Sequence, residues 1–264
     1  MKADLVTDIR AAAAAEFDYL EIWAAKLRKF LETNSVADLA AQFQQNGIRP
    51  LSINSIEHIT FHDPDAYARI KRECEELSAI AATLECPYVV VVPGKLPNGE
   101  VTRAEVIDES VRVLAELAEI AAAHGVALAF EFLGQTDCSV PTLELANEIV
   151  KRVDRNDVGL VIDSFHFYAG GSSIEMIEAL EAHRLFIFHI DDAEDLPRAA
   201  LTDAHRLLPG LGILPLKEII SAFRRIGYDQ NASVEIFRPE YWERDPFELA
   251  RDAKTAVEGV LAKA

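Results

Sequence analysis

Four residues in the second half of the chain are of the types that bind metals and move protons. They are Glu131 in "VALAFEF", Asp163 closing "VGLVID", His189 in "LFIFHI" and Glu235 in "ASVEIF". They stand 32, 26 and 46 positions apart, so no local motif joins them. Each lies near the end of a short apolar run of the kind that forms a buried strand. An acid that closes a buried strand costs free energy unless a cation or a donor meets it. Taken singly, each has an ordinary reading: a strand-end acid caps the next helix, and a strand-end His is held at a rim. On four successive runs they read as a convergent set. Three carboxylates meeting at about 4 Å oppose one another by several kcal/mol per pair, even at an effective dielectric near 20. One divalent cation removes that conflict. The donor set is mostly hard and suits Mn, Mg, Co, Fe or Zn alike; a set rich in Cys points instead to structural zinc.

Such a set needs elements that bring four distant positions to one face. Apolar β-type runs occupy 17–23, 48–54, 87–93, 126–132, 158–163, 185–190 and 232–237, and several are continuously apolar. Parallel strands covered on both faces read this way. Between them lie helical patterns with start signals. Thr102-x-x-Glu105 is a capping-box pattern, Asp63-Pro64 and Asp245-Pro246 place a cap before a first-turn proline, and Ser172-x-x-Glu175 opens "IEMIEALEAH". Regular βα alternation predicts an α/β fold, a (β/α)8 TIM barrel, whose active site collects at the C-terminal strand ends. A doubly wound sheet usually shows a Gly-rich first βα turn, and none is present. With no Gly/Ser/Pro-rich linker, residues 1–264 read as one domain. One irregularity stands out: seven strands are counted, not eight. The chain opens with "MKADLVTDIRAAAAAEF", a helix with Leu5, Ile9, Ala12 and Ala13 on one side, leading into "DYLEIW". Either the gene start lies upstream of Met1, or the barrel has a gap beside its last strand. Such a gap exposes sheet edges that a partner chain or a loop is expected to cover, in a homo- or hetero-oligomer.

The totals narrow the function. Half of the 264 residues are hydrophobic and 27% are charged, which argues against disorder. Forty-four acids against 26 Lys plus Arg give a net charge of −18, which repels phosphate backbones and anionic lipid, so no nucleic acid and no membrane partner is expected. Three cysteines without metal-type spacing fit a reducing compartment. The N-terminus lacks the apolar core of a signal peptide, and no run approaches the roughly 18–20 residues of a membrane helix. A cytoplasmic location is expected.

The stretches "NDVGLVIDSFHFYAGGSSIE" (156–175), "FIFHIDDAEDLPRAALTDAHRLLPGLG" (186–212) and "SVEIFRPEYW" (233–242), with "ALAFEFLGQTDCSV" (127–140) more loosely, carry a resemblance. The chain resembles the sugar phosphate isomerase/epimerase family of xylose-isomerase-like barrels, most of all its inosose-isomerising branch. The likeness runs from about Asp18 to the C-terminus and departs at the front, where family members begin with a strand that this chain lacks. It implies that Glu131, Asp163, His189 and Glu235 hold one divalent metal. It implies that His166, in "DSFH", faces the substrate, and that Arg206 lies on a loop that closes over it. The implied activity is isomerisation or epimerisation of an inosose-like keto-polyol or keto-sugar through an enediolate, with Glu131 and Glu235 as acid and base and His166 assisting. Trp23, His58 and Lys95, which follow the second, third and fourth family strands, are weaker candidates to line the pocket and read equally well as rim residues. Arg238 and Glu240 can pair with each other as readily as touch substrate. "PGLG" is a poor phosphate cradle, so an unphosphorylated polyol is favoured. Three alternatives stand beside this reading: a metal-dependent dehydratase or lyase on keto-sugars, a non-catalytic sugar-binding subunit, and an apurinic-site endonuclease, which the −18 charge disfavours.

Overall fold

Seven parallel strands, each followed by helix, lie side by side in a computed structural model that describes residues 3–264. The strands are β1 (Tyr19–Trp23), β2 (Arg49–Ile56), β3 (Tyr88–Val91), β4 (Ala127–Glu131), β5 (Val158–Asp163) and β6 (Leu185–Ile190), with β7 (Asp192–Ala193) and β8 (Arg206–Leu207) forming a small antiparallel hairpin, and β9 (Ser233–Val234). The sheet order is β1-β2-β3-β4-β5-β6-β9. The helices are α1 (Leu5–Ala14), α2 (Ala24–Leu31), α3 (Val36–Asn46), α4 (Pro64–Thr83), α5 (Arg103–Ala122), α6 (Leu143–Val153), α7 (Ser164–Ala169), α8 (Ile174–Glu178), α9 (Leu216–Ile226), α10 (Pro239–Trp242) and α11 (Pro246–Leu261).

Local chemistry starts these helices where the sequence says. Asp63 accepts from the amide of Ala66, Thr102 and Glu105 form a reciprocal capping box, and Asp245 accepts from the amides of Phe247 and Glu248. One cap differs: α8 takes Ser173 as its N-cap, whereas the Ser172 hydroxyl accepts from the amide of Leu143 on the neighbouring helix. Every residue of β5 and β6 is buried, as the centre of a parallel sheet covered by helices requires.

Two cores result. The larger lies between sheet and helices; the smaller, Leu51, Val90, Ala129, Val161, Phe186 and Ile187, is a separate cluster. Gly159 belongs to this second packing, because a Cβ there would stand 2.6 Å from the Phe186 ring. Side chains alternate along a strand, so residues two apart share a face. Glu131 is therefore one step beyond Ala129, Asp163 beyond Val161 and His189 beyond Ile187. The small core is the floor on which the polar residues stand.

The sheet is open between β1 and β9, and among the described residues no strand precedes α1. The expected gap is thus present. Its outer side is covered by α1 packing on α11, with Lys254 donating to the Glu16 carbonyl at 2.9 Å, rather than by a loop. On the inner side a cavity of about 600 Å³ remains, walled by both edge strands, α1 and α11. The last strand is also shorter than the run 232–237: only Ser233 and Val234 pair, and Glu235 lies just past them. No helix among the described residues is long and apolar enough to cross a membrane.

Candidate active site

Glu131, Asp163, His189 and Glu235 meet at the C-terminal ends of β4, β5, β6 and β9. Each offers one ligand atom, and these atoms all lie within 4.8 Å of one another. Asp163 and His189 are direct register partners across β5 and β6, which fixes their proximity through the backbone ladder. His189 Nδ1 lies 3.1 Å from Glu131 Oε1 and 3.5 Å from Glu235 Oε2. Asn54, from β2, donates to Glu235 Oε1 at 2.8 Å. Asp163 accepts from the backbone amide of His166 at 2.7 Å, so it starts α7 while its other oxygen accepts from Arg206.

The electrostatics describe a site that lacks positive charge. Asp163, Asp191 and Glu235 gather around one permanent cation, Arg206, while Glu21 and Glu131 flank the His189 ring. Burial pushes the Glu131 carboxyl up to about 7, with the charges of Glu235 and Asp163 adding to it. Burial and neighbouring Asp163 raise Asp191 well above the usual carboxylate range. Burial by itself would lower the His189 ring, but Glu21, Glu235 and Glu131 overcome it and raise it well above the ordinary histidine value. For Asp163 burial is likewise overcome, chiefly by Arg206, and its carboxyl is held low. Three carboxylates and an imidazole at hard-donor spacing, with excess negative charge out of water, fit a divalent cation.

Arg206 is the correction to the expected loop. It opens β8, is 1% exposed, and its guanidinium already sits inside the site. It donates to Asp163, to Asp191 at 2.6 Å and to Asp203 at 3.1 Å, and lies over the Phe165 ring. The hairpin is clamped beneath by Asp192, which accepts from the amides of Ala193, Gly210 and Leu214 at 2.9, 3.0 and 2.8 Å. Gly212 has no room for a side chain: a Cβ would stand 2.1 Å from the Ala193 carbonyl oxygen. "PGLG" therefore docks a loop on Asp192.

His166 is buried. Its Nε2 lies 3.1 Å from Arg206 Nη2, and its Nδ1 has no partner in the protein. Burial lowers its proton affinity. Arginine can only donate, so Nε2 accepts and the neutral ring carries its proton on Nδ1, a free donor. Trp23 is on the cavity wall together with Glu21, Asn54 and Glu235. Lys95 and His58 are not. Lys95 is exposed and paired with Asp137 at 2.7 Å, and His58 is exposed at a positive-φ position. Arg238 pairs with Glu240 at 3.2 Å and with Glu194 at 2.6 Å.

Sequence reasoning missed Glu21, Asn54, Asp191 and Asp203. For Glu21 the signal was present, a lone acid between Leu20 and Ile22 in an alternating strand. For Asp191 it was the first of two acids after "HI".

Known proteins share this fold. The family model for xylose isomerase-like TIM barrels matches residues 9–260. The chain belongs to that family. Among members of the xylose isomerase-like barrels, the inosose isomerase of Bacillus velezensis is 39% identical over 262 residues, 99% of this chain and 93% of the relative. The inosose isomerase of Bacillus subtilis is also 39% identical, over 99% of this chain and 94% of its own length. Among solved structures, the IolI protein with a bound zinc atom superposes with a TM-score of 0.95 at 39% identity, covering 99% of this chain and 94% of that one.

Proposed function

We propose that this chain isomerises an unphosphorylated keto-polyol of the inosose class, with one divalent ion held by Glu131, Asp163, His189 and Glu235. The observation that carries the reading is the convergence of those four donor atoms within 4.8 Å at the strand ends. The inosose isomerases among its relatives and the zinc in the IolI structure support it. A divalent ion bound there supplies a Lewis acid that polarises a carbonyl and offsets the negative charge developing as the adjacent carbon loses its proton.

The side chains do the rest. Glu131 and Glu235 come from the two outer strands of the four, β4 and β9, each with reach enough to hold the ion with one oxygen and meet a substrate C–H with the other. One takes the α-proton, and it or its counterpart returns a proton to the neighbouring carbon. Asn54 fixes the Glu235 carboxylate. The free Nδ1–H of His166 donates to a substrate oxygen, and Arg206 holds that ring from behind. Burial excludes water and strengthens each of these contacts. Cysteines 74, 86 and 138 are buried and unpaired, which fits a reducing cytoplasm.

The test is proton exchange at the α-carbon of scyllo-inosose in D2O, followed by NMR with product analysis, for zinc- or manganese-loaded protein. Glu235→Gln is expected to keep its fold and lose about 10²- to 10⁴-fold in exchange rate, the usual contribution of a positioned proton carrier. Wild-type exchange in that variant removes Glu235 from the chemistry. No exchange by loaded wild type refutes the reaction.

A further inference from the structure

The two nitrogens of His189 face different neighbours, and the second of them points to a residue outside the four donors. Nδ1 is turned toward Glu131 and Glu235, at 3.1 and 3.5 Å. Nε2 lies 2.9 Å from Glu21 Oε1, on the edge strand across the open seam. An imidazole binds a metal through an unprotonated nitrogen, so the neutral ring must carry its proton on the other one, and that buried N–H needs an acceptor.

We infer that Glu21 is a positioning residue of the metal site, accepting the Nε2 proton of His189 so that Nδ1 is the nitrogen presented to the ion. The inference rests on the metal reading above. Glu21 is suited to the task. Its side chain is nearly buried, its second oxygen accepts from the Ser52 hydroxyl at 2.5 Å, and Ser233 of β9 faces it from the other side of the seam. Ser233 is in turn the register partner of His189. The carboxylate is thus fixed by β2, set between it and β9, and aimed at one ring nitrogen. The 2.9 Å pair is bent, and Nε2 makes no well-aligned hydrogen bond elsewhere, so Glu21 is the acceptor at hand for that proton. A carboxylate behind a ligating imidazole also raises the basicity of the nitrogen that binds.

A merely structural buried acid would change stability and leave metal affinity and ring tautomer alone. The test therefore uses stripped full-length protein titrated with zinc against a chromogenic chelator, for wild type, Glu21→Gln and Glu21→Ala, with circular dichroism to verify folding. Long-range ¹H–¹⁵N NMR of zinc-loaded wild type reads the His189 tautomer without any variant. The expected results are zinc affinity about 10- to 100-fold weaker in Glu21→Ala, a smaller loss in Glu21→Gln, whose amide oxygen still accepts, and a proton on Nε2 in the wild-type ring. Wild-type affinity in both variants, or a proton on Nδ1, overturns the role of Glu21 alone. If Glu21→Ala fails to fold, the isosteric Gln variant and the tautomer decide. Absence of zinc binding by wild type overturns the metal reading itself, and this inference with it.

Discussion

Metal binding should expel protons, and the number should change with pH in a way set by two buried side chains. His189 is raised well above its ordinary value and is charged before an ion arrives. Coordination requires it neutral, so it gives up about one proton throughout the neutral range. Glu131 is pushed up to about 7. It is therefore about nine-tenths protonated at pH 6 and about one-tenth at pH 8, and a ligating carboxylate must be ionised. Release is expected to fall from about two protons per ion at pH 6 to about one at pH 8. The assay is isothermal titration of zinc in buffers of different ionisation enthalpy at each pH, from which proton release follows directly. The change between the two pH values, more than either number, carries the test. A release that stays constant across the window, or proton uptake, refutes the reasoning that a crowded, cation-poor cluster holds Glu131 protonated. The same raised value makes a stability statement for stripped protein. A carboxyl whose pKa is higher folded than unfolded contributes fully below about 4.5, and the contribution is lost as pH climbs through about 7. The loss is about 3 kcal/mol, at 1.36 kcal/mol per pH unit.

Two substitutions probe the frame around the cluster. Arg206→Met leaves Asp163 and Asp191 buried without their cation, and stripped protein should lose about 3–5 kcal/mol in urea unfolding; a loss under about 1 kcal/mol would mean that the pairing is not what holds the hairpin. Asp192→Ala removes the acceptor of three amides, and should cost about 3 kcal/mol with faster hydrogen exchange at Gly210 and Leu214, where unchanged protection would discount the clamp.

How far this was legible in sequence depends on how a residue advertises its surroundings. Glu131, Asp163 and His189 were readable because an apolar strand and a period of two leave little choice about where the next side chain points. Glu235 was readable by type, although its strand is only two residues long: at the seam β9 has a neighbour on one side, and half its ladder is absent. Glu21 was overlooked because attention to strand ends passes over an acid in mid-strand, and its partner lies 168 positions away on β6. Arg206 looked like a loop residue, and its burial depends on Asp191, Asp192 and Asp203, none of which announces a partner in sequence. Lys95 and His58 follow the right strands, but the chain turns them outward, to Asp137 and to solvent. The gap was visible as a missing apolar run, whereas the helix pair that covers it became evident only in three dimensions.

The central claim is that side chains from β4, β5 and β6, with Glu235 just past β9, share one ion. It is tested most directly by crystals grown with zinc and measured at the zinc absorption edge. The account predicts a single strong anomalous peak per chain at about 2.0–2.2 Å from oxygen or nitrogen atoms of Glu131, Asp163, His189 and Glu235, with Nδ1 as the histidine donor. Zinc bound elsewhere, or those four residues unoccupied in zinc-saturated crystals, contradicts it.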